Sequence, residues 1–266
     1  MNRALQMTDL TMRILLEKIS RNISFPKKLP EDFASTPIII SPGAALSYWK
    51  SSLGDHDPLL LNIVKAYVGR GQIVWDIGAN VGLFTFAAAA KIGHIGRVLA
   101  VEADTWCVSL LRRSCQLKAN QQLAVDVLPA AVSNSVDLVK FHIAQRGRAA
   151  NHLEQSKGST QTGGIRETQI MPSITLDWLL EHYAYPDFIK IDIEGAERLA
   201  LEGGHRVLTK VRPKLLCEVS DEHKAWITNT LQEYDYLLYD AAQLDRGPQL
   251  NAQFNTLAIP IEQKSM

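Results

Sequence analysis

Cysteine is scarce in this chain: Cys107, Cys115 and Cys217 are the only three among 266 residues. The number is odd and no C-x-x-C pair occurs, so neither a disulfide framework nor a thiolate zinc site is encoded. Free thiols in a reducing compartment are the expectation. No apolar run approaches the ~18 residues that cross a bilayer. Asp9, Arg13, Glu17 and Lys18 interrupt the most hydrophobic part of the N-terminus, which therefore lacks the uncharged core of a signal peptide. A cytoplasmic location with no membrane span is expected. An excess of charge is missing too, because 28 Lys plus Arg balance 28 Asp plus Glu. Without a global field, nucleic acid and acidic membranes are not expected partners, although the totals say nothing of a local basic patch.

Two familiar nucleotide signatures are also absent. No G-x-G-x-x-G follows a strand, and no Gly-Lys-Ser/Thr closes a Walker A loop. What stands in that place is D-x-G-x-N-x-G, with Asp76, Gly78, Asn80 and Gly82. The turn sits between a β-rich run over 72–77 and an Ala-rich helix over 83–91. Around it, helical and β-rich segments alternate. Helices are expected over 58–67, 105–119, 173–183 and 196–201. Strands are expected over 97–102, 124–132, 136–143, 188–193 and 214–219, with a closing antiparallel pair at 234–239 and 254–259. This alternation predicts an α/β fold with a mostly parallel sheet and helices on both faces.

Two regions stand apart. Residues 1–54 read as an N-terminal helical extension or lid, in which Leu10, Ile14, Leu15 and Ile19 share one helical face. That helix has three open roles: packing on the main domain, forming a homodimer contact, or covering the site. The polar, Gly/Ser/Thr-rich segment 145–168 is expected to be a substrate-covering loop or a mobile insertion.

The charge of the turn narrows the ligand. A pyrophosphate seeks bare amides at a helix N-terminus and is repelled by a neighbouring carboxylate. Asp76 suits instead a ligand with a cationic ammonium and sulfonium, such as the methionine end of S-adenosyl-L-methionine. Gly78 would allow close approach to that ligand, and Asn80 and the turn amides of Ala79 and its neighbours would meet its carboxylate. Gly82 would let helix and strand pack tightly. Glu102, at the tip of the next strand, could accept both ribose hydroxyls.

At this point the chain resembles the FkbM family of methyltransferases. The matching blocks are VWDIGANVG over 74–82, VLAVE over 98–102, TLD over 175–177, DFIKIDIEGAE over 187–197, and Arg212-Pro213 leading to Glu218. The likeness covers about residues 55–260, taken as the methyltransferase domain 55–266; 1–50 and 145–168 match nothing. It implies a Rossmann-like seven-stranded sheet of order 3-2-1-4-5-7-6 with strand 7 antiparallel. It also implies S-adenosyl-L-methionine as cofactor, S-adenosyl-L-homocysteine as product, and O-methylation of a small-molecule natural product or sugar. Asp76, Gly78, Asn80, Gly82 and Glu102 fall on cofactor positions, and Ala130-Ala131 beside the adenine.

A sugar or aliphatic hydroxyl is a weak acid and needs a base or a metal to lose its proton. Asp192 and Glu218 each end an expected strand, and Glu194 follows in the turn. Either Asp192 and Glu218 hold Mg²⁺, or a carboxylate or histidine takes the proton, with His223 and His152 as candidates. Lys190 is expected to pair with a neighbouring acid, and Trp75 and Trp178 to lie in the core. Tyr48 and Trp49 could line the acceptor pocket or simply pack. A nicotinamide-dependent Rossmann oxidoreductase and a catalytically silent S-adenosyl-L-methionine-binding protein are the rival readings.

Overall fold

The structure is a computed structural model and describes residues 20–145, 147–156 and 163–263. The helix expected over 9–20, and with it the homodimer contact, falls almost wholly outside the described residues. Strands β1 (Phe25–Lys28) and β2 (Pro37–Ile40) form an antiparallel hairpin. A helical extension is therefore not what the described part of 1–54 forms. Phe33, Ile38 and Ile40 of this region are buried in the same apolar cluster as the central strands, so it is packed on the domain.

Helix α1 (Pro58–Tyr67) begins where Asp57 accepts a hydrogen bond from the Leu60 amide at 2.9 Å and Pro58 takes the first helical position. It leads into β3 (Ile73–Ile77) and α2 (Leu83–Ile92). Nearly every side chain of α2 is buried, which explains why Phe, Thr and four Ala follow one another without a polar face. Next come β4 (Arg97–Glu102) and α3 (Thr105–Cys115), the latter capped by Asp104. Then β5 (Val125–Pro129), β6 (Ala131–Val132), β7 (Asp137–Ala144), β8 (His152–Leu153) and β9 (Ile165–Ile174) follow. Helix α4 (Leu176–His182), β10 (Phe188–Ile191), α5 (Glu197–Glu202) and β11 (Lys214–Glu218) carry the chain to α6 (Lys224–Glu233). Strands β12 (Tyr236–Asp240), β13 (Pro248–Gln249) and β14 (Asn255–Pro260) close the fold.

The main sheet has the order β13-β12-β14-β11-β10-β3-β4-β5. Pairings from β5 through β11 are parallel, while β14 runs antiparallel to both β11 and β12. The sheet thus has eight strands rather than the expected seven, the addition being the two-residue edge strand β13. Val74, Val98 and Ala100 enter one apolar core, and Trp75, Leu99 and Val101 the other. That alternation on strands covered on both faces is why they read as near-continuous hydrophobic runs.

A second correction concerns 124–132. The run breaks at Ala130, so β5 stays in the main sheet while β6 joins a four-stranded sheet of order β6-β9-β7-β8. The strand expected over 136–143 belongs to this smaller sheet. Val139, Phe141 and Ile143 point inward from β7, the one-sided burial typical of an antiparallel sheet. The described part of 145–168 is not a structureless loop either, because it contains β8 and the start of β9. Among the described residues, no helix is long and apolar enough to cross a membrane.

Candidate active site

The carboxyl ends of β3 and β10 meet at one place, and Lys190 ties them together. Its ammonium donates to the Gly78 carbonyl at 2.8 Å and lies 3.3 Å from a carboxylate oxygen of Asp76 and 3.3 Å from one of Asp192. Burial pulls the Lys190 ammonium down, but Asp76 and Asp192 override it and hold it above its ordinary range. The expected pairing of Lys190 with neighbouring acids is what the side chains form.

Asp76 is fully buried, and its other oxygen accepts the Thr85 hydroxyl at 2.5 Å. Its carboxylate faces Lys190 and Thr85, and Asp76 is not among the residues that line the cavity in front of the turn. The turn amides are likewise committed. Those of Gly78 and Ala79 donate to Val101 at 2.9 and 3.1 Å, that of Asn80 to Glu102 at 2.7 Å, and that of Gly82 to Ala79 at 2.9 Å. They are not a cradle of bare donors for a ligand carboxylate. Asn80 occupies a left-handed conformation (φ 52°), which Asn tolerates better than most residues.

Both glycines earn their positions by packing against protein. A Cβ on Gly78 (φ +81°) would lie 1.9 Å from the Asp192 carbonyl oxygen, so two strand-end turns touch backbone to backbone. A Cβ on Gly82 (φ +95°) would meet Leu111 at 2.7 Å and Phe86 at 2.8 Å. Gly82 therefore lets the start of α2 pass close to Leu111 of α3 and to its own Phe86, while α2 packs on β3 and β4 as expected.

In front of the turn lies a small, mostly apolar cavity. Ile77 and Gly78 line it from β3, Val101, Glu102 and Ala103 from β4, and Ala130, Ala131 and Val132 from the break between the sheets. Phe141 and Leu153 of the smaller sheet face them, and Ile193 and Ala196 complete the wall. Four of the sequence-selected residues, Gly78, Glu102, Ala130 and Ala131, therefore line the cavity, while Asp76, Ala79, Asn80 and Gly82 support it. Glu102 accepts amides from Asn80 and Asp104, each at 2.7 Å. Burial nevertheless raises its carboxyl to about 7.

Beyond Gly78 and Ile193 the surroundings turn acidic. Burial, reinforced by Asp192 and Glu218, raises Glu194 to about 8. Glu218 is also raised to about 8, by burial and then by Asp192 and Glu197. Glu194 has a φ of 52°, and the turn holding it is secured by Glu197, which accepts the Ile193 amide at 3.0 Å and the Gly195 amide at 3.0 Å. Sequence reasoning assigned Glu197 no role; only the folded turn reveals it.

Two expectations about this region need correcting. Among the described residues, no group of three or more His, Cys, Asp or Glu side chains could hold a metal ion. Asp192 is engaged by Lys190 and the pair with Glu218 lacks further donors, so the donor set does not fit Mg²⁺. His152 does not reach the cavity: on β8 its neighbour Leu153 faces inward, and alternation turns His152 to the other face, edge-on to His142 at 5.4 Å. His223 is partly buried at the N-cap of α6, and its ring makes no hydrogen bond among the described residues.

The N-terminal region contributes what the motifs did not. Tyr48 is buried and stacks on His56 with ring centroids 3.9 Å apart. Burial raises its phenol, and the nearby Cys107, Asp57, Asp192 and Asp76 add to the shift. Tyr48 therefore stands within electrostatic reach of the reaction zone. No periodicity announces this, because the residue lies in a short irregular turn.

The methyltransferase FkbM domain model matches residues 76–238, more than half of the chain and all of the acidic turn. The chain belongs to the FkbM methyltransferase family. Its members are S-adenosyl-L-methionine-dependent methyltransferases, which excludes the nicotinamide reading. Among solved structures, an FkbM methyltransferase from Methylobacillus flagellatus KT is similar at 16% identity, covering 94% of this chain and 60% of that one with a TM-score of 0.43. A precorrin-6y C5,15-methyltransferase from Geobacter metallireducens GS-15 matches at 12% identity over 77% of this chain and 84% of its own, TM-score 0.43. Aeropyrum pernix fibrillarin, solved with natively bound S-adenosyl-L-methionine, matches at 14% identity over 75% and 70%, TM-score 0.41. No curated protein matches the chain.

Proposed function

We propose that this FkbM methyltransferase moves a methyl group from S-adenosyl-L-methionine to a hydroxyl oxygen of a small-molecule natural product or sugar. The observation that carries the reading is the junction of an apolar cavity, floored by Gly78 and walled by Glu102 and Ala131, with the carboxylates of Asp192, Glu194 and Glu218. The donor set fits the cofactor. Each Glu102 oxygen keeps a lone pair after receiving its backbone amide, so the carboxylate can still accept ribose hydroxyls. Ala130, Val132, Phe141 and Leu153 offer the apolar contact that a base requires.

S-adenosyl-L-methionine supplies an electrophilic methyl on a positively charged sulfur. The carboxylates of Asp192, Glu194 and Glu218 favour a cation near Ile193, and burial, reinforced by the neighbouring carboxylates, raises Glu194 and Glu218 to a basicity suited to taking a proton near neutral pH. The acceptor hydroxyl would pass its proton to Glu194 or Glu218 as its oxygen bonds to the methyl carbon and the carbon–sulfur bond breaks, leaving S-adenosyl-L-homocysteine. Holding oxygen and methyl in line supplies the proximity term, worth several kcal/mol.

Calorimetry with S-adenosyl-L-homocysteine tests the cofactor half: wild-type protein should bind it and not NAD, and Glu102→Ala should weaken binding at least tenfold. Labelled S-adenosyl-L-methionine with a panel of hydroxylated and aminated acceptors tests the other half. Label recovered only on nitrogen would overturn oxygen as the target, and absence of homocysteine binding would overturn the cofactor site.

A further inference from the structure

The segment after β7 is fastened to the cofactor wall by one buried aspartate. Asp104 is 1% exposed, and its carboxylate receives the Trp106 amide at 2.9 Å, the Arg148 guanidinium at 2.7 Å, and the Asn151 amide nitrogen at 2.8 Å. Arg148 also forms a closer ion pair to the second Asp104 oxygen, and lies over the Trp106 ring at 5.6 Å. From the other side, the Asn151 carbonyl accepts the Ala144 amide at 2.8 Å. The Arg148 amide donates to the Gly43 carbonyl at 3.3 Å, which joins the N-terminal region to the same strap.

Asp104 is no bystander to the cavity. Its own amide donates to Glu102 at 2.7 Å, and Leu153, two residues beyond Asn151, lines the cavity opposite. One aspartate therefore links the carboxylate on one wall with the apolar side chain on the other. A surface arginine would contribute little here, but an arginine paired with a buried acid leaves an uncompensated charge when removed.

We infer that Arg148 and Asn151 are positioning residues for the cofactor. They clamp Asp104, which sets Glu102 through its backbone amide, and they latch the strap that brings Leu153 against the bound adenosine. This rests on the reading of the cavity as the S-adenosyl-L-methionine site. The latched strap slows ligand release, whereas the turn at Gly78 and the acidic cluster do not depend on it.

The test uses the full chain and S-adenosyl-L-homocysteine as probe. Stopped-flow or surface-based dissociation should be about tenfold faster for Arg148→Ala than for wild type, with partial rescue in Arg148→Lys, which keeps the charge and loses the fork. Asn151→Asp, which sets a second anion beside Asp104, should act in the same direction. Hydrogen exchange in the free protein should show amides in 147–156 losing protection in Arg148→Ala while those of β3 and β10 keep theirs. Wild-type binding with an unchanged Arg148→Ala off-rate overturns the latch alone. Unchanged exchange in 147–156 overturns it also. Wild-type protein that binds no homocysteine overturns the cofactor reading, and the positioning role with it.

Discussion

Gly78 and Asp192 meet backbone to backbone: a Cβ at Gly78 would fall 1.9 Å from the Asp192 carbonyl oxygen. The relation joins the turn after β3 to the turn after β10, and so joins cofactor wall to acidic cluster. Because the obstacle is backbone rather than the end of a flexible side chain, no rotamer change can relieve it. Gly93 offers a control, with a positive φ of +67° and nothing within 4 Å of the added atom. Gly93 (φ 67°, ψ −165°) occupies a region that essentially only glycine adopts, so Gly93→Ala should cost about 1–3 kcal/mol from its backbone alone. Gly78→Ala should cost more than about 3 kcal/mol, since the turns must separate. Chemical denaturation of the two variants checks this, and equal midpoints would show that the Asp192 contact yields readily.

Lys190 sits between Asp76, which is fully buried, and Asp192, whose side chain is 39% exposed. Removing the ammonium strands the buried carboxylate, so Lys190→Met should destabilise the protein by about 3–5 kcal/mol. Replacing Asp76 by Asn in the same molecule should restore part of that loss. A double-mutant cycle by urea denaturation measures the coupling. Strict additivity would mean that the two groups do not interact.

Glu194 and Glu218 give the protein a defined response to pH. Their folded-state values lie near 8, against an ordinary 4.5. Between those values the folded chain holds protons that the unfolded chain has released. Stability from these groups is therefore fully present below the ordinary value and is lost as pH rises through about 8. The melting temperature should fall between about pH 5 and about pH 8.5, and the slope should flatten in Glu194→Gln and Glu218→Gln. Ligand binding should run the other way. Ionised carboxylates attract a sulfonium but not a neutral thioether, so the affinity of S-adenosyl-L-methionine relative to its homocysteine product should rise several-fold from about pH 7 to about pH 9. A pH-independent ratio would place the sulfur away from the acidic cluster.

His152 separates two views of the base. It faces away from the cavity and packs on His142, so His152→Ala should leave turnover within about twofold of wild type while Asp192→Asn lowers it by at least tenfold. Loss of turnover in the histidine variant, with the fold intact, would return that side chain to the chemistry.

Local pattern accounts for much that was legible beforehand. Strands buried on both faces, such as Arg97–Glu102, appear as apolar runs ending in a polar tip, and an Ala-rich helix after a glycine turn has no other reading. The ten-residue strand Ile165–Ile174 escaped notice because only three of its residues, all near its end, are buried, leaving no hydrophobic period to detect. Likewise, nothing local says that the run around Ala130 divides between two sheets, since both halves are equally apolar.

By itself the sequence determined the parallel sheet, the D-x-G-x-N-x-G turn at its centre and the family to which that turn belongs. Those properties reside in short-range spacing and in which residue types stand at strand tips. Only the tertiary structure decided what the charges do. It buried Asp76 against Lys190 and Thr85 and packed His152 on His142, away from the cavity. It also brought Tyr48 and Arg148 from unpatterned segments to the site. Charge partnership depends on distances between residues far apart along the chain, and those distances exist only once the strands have come together.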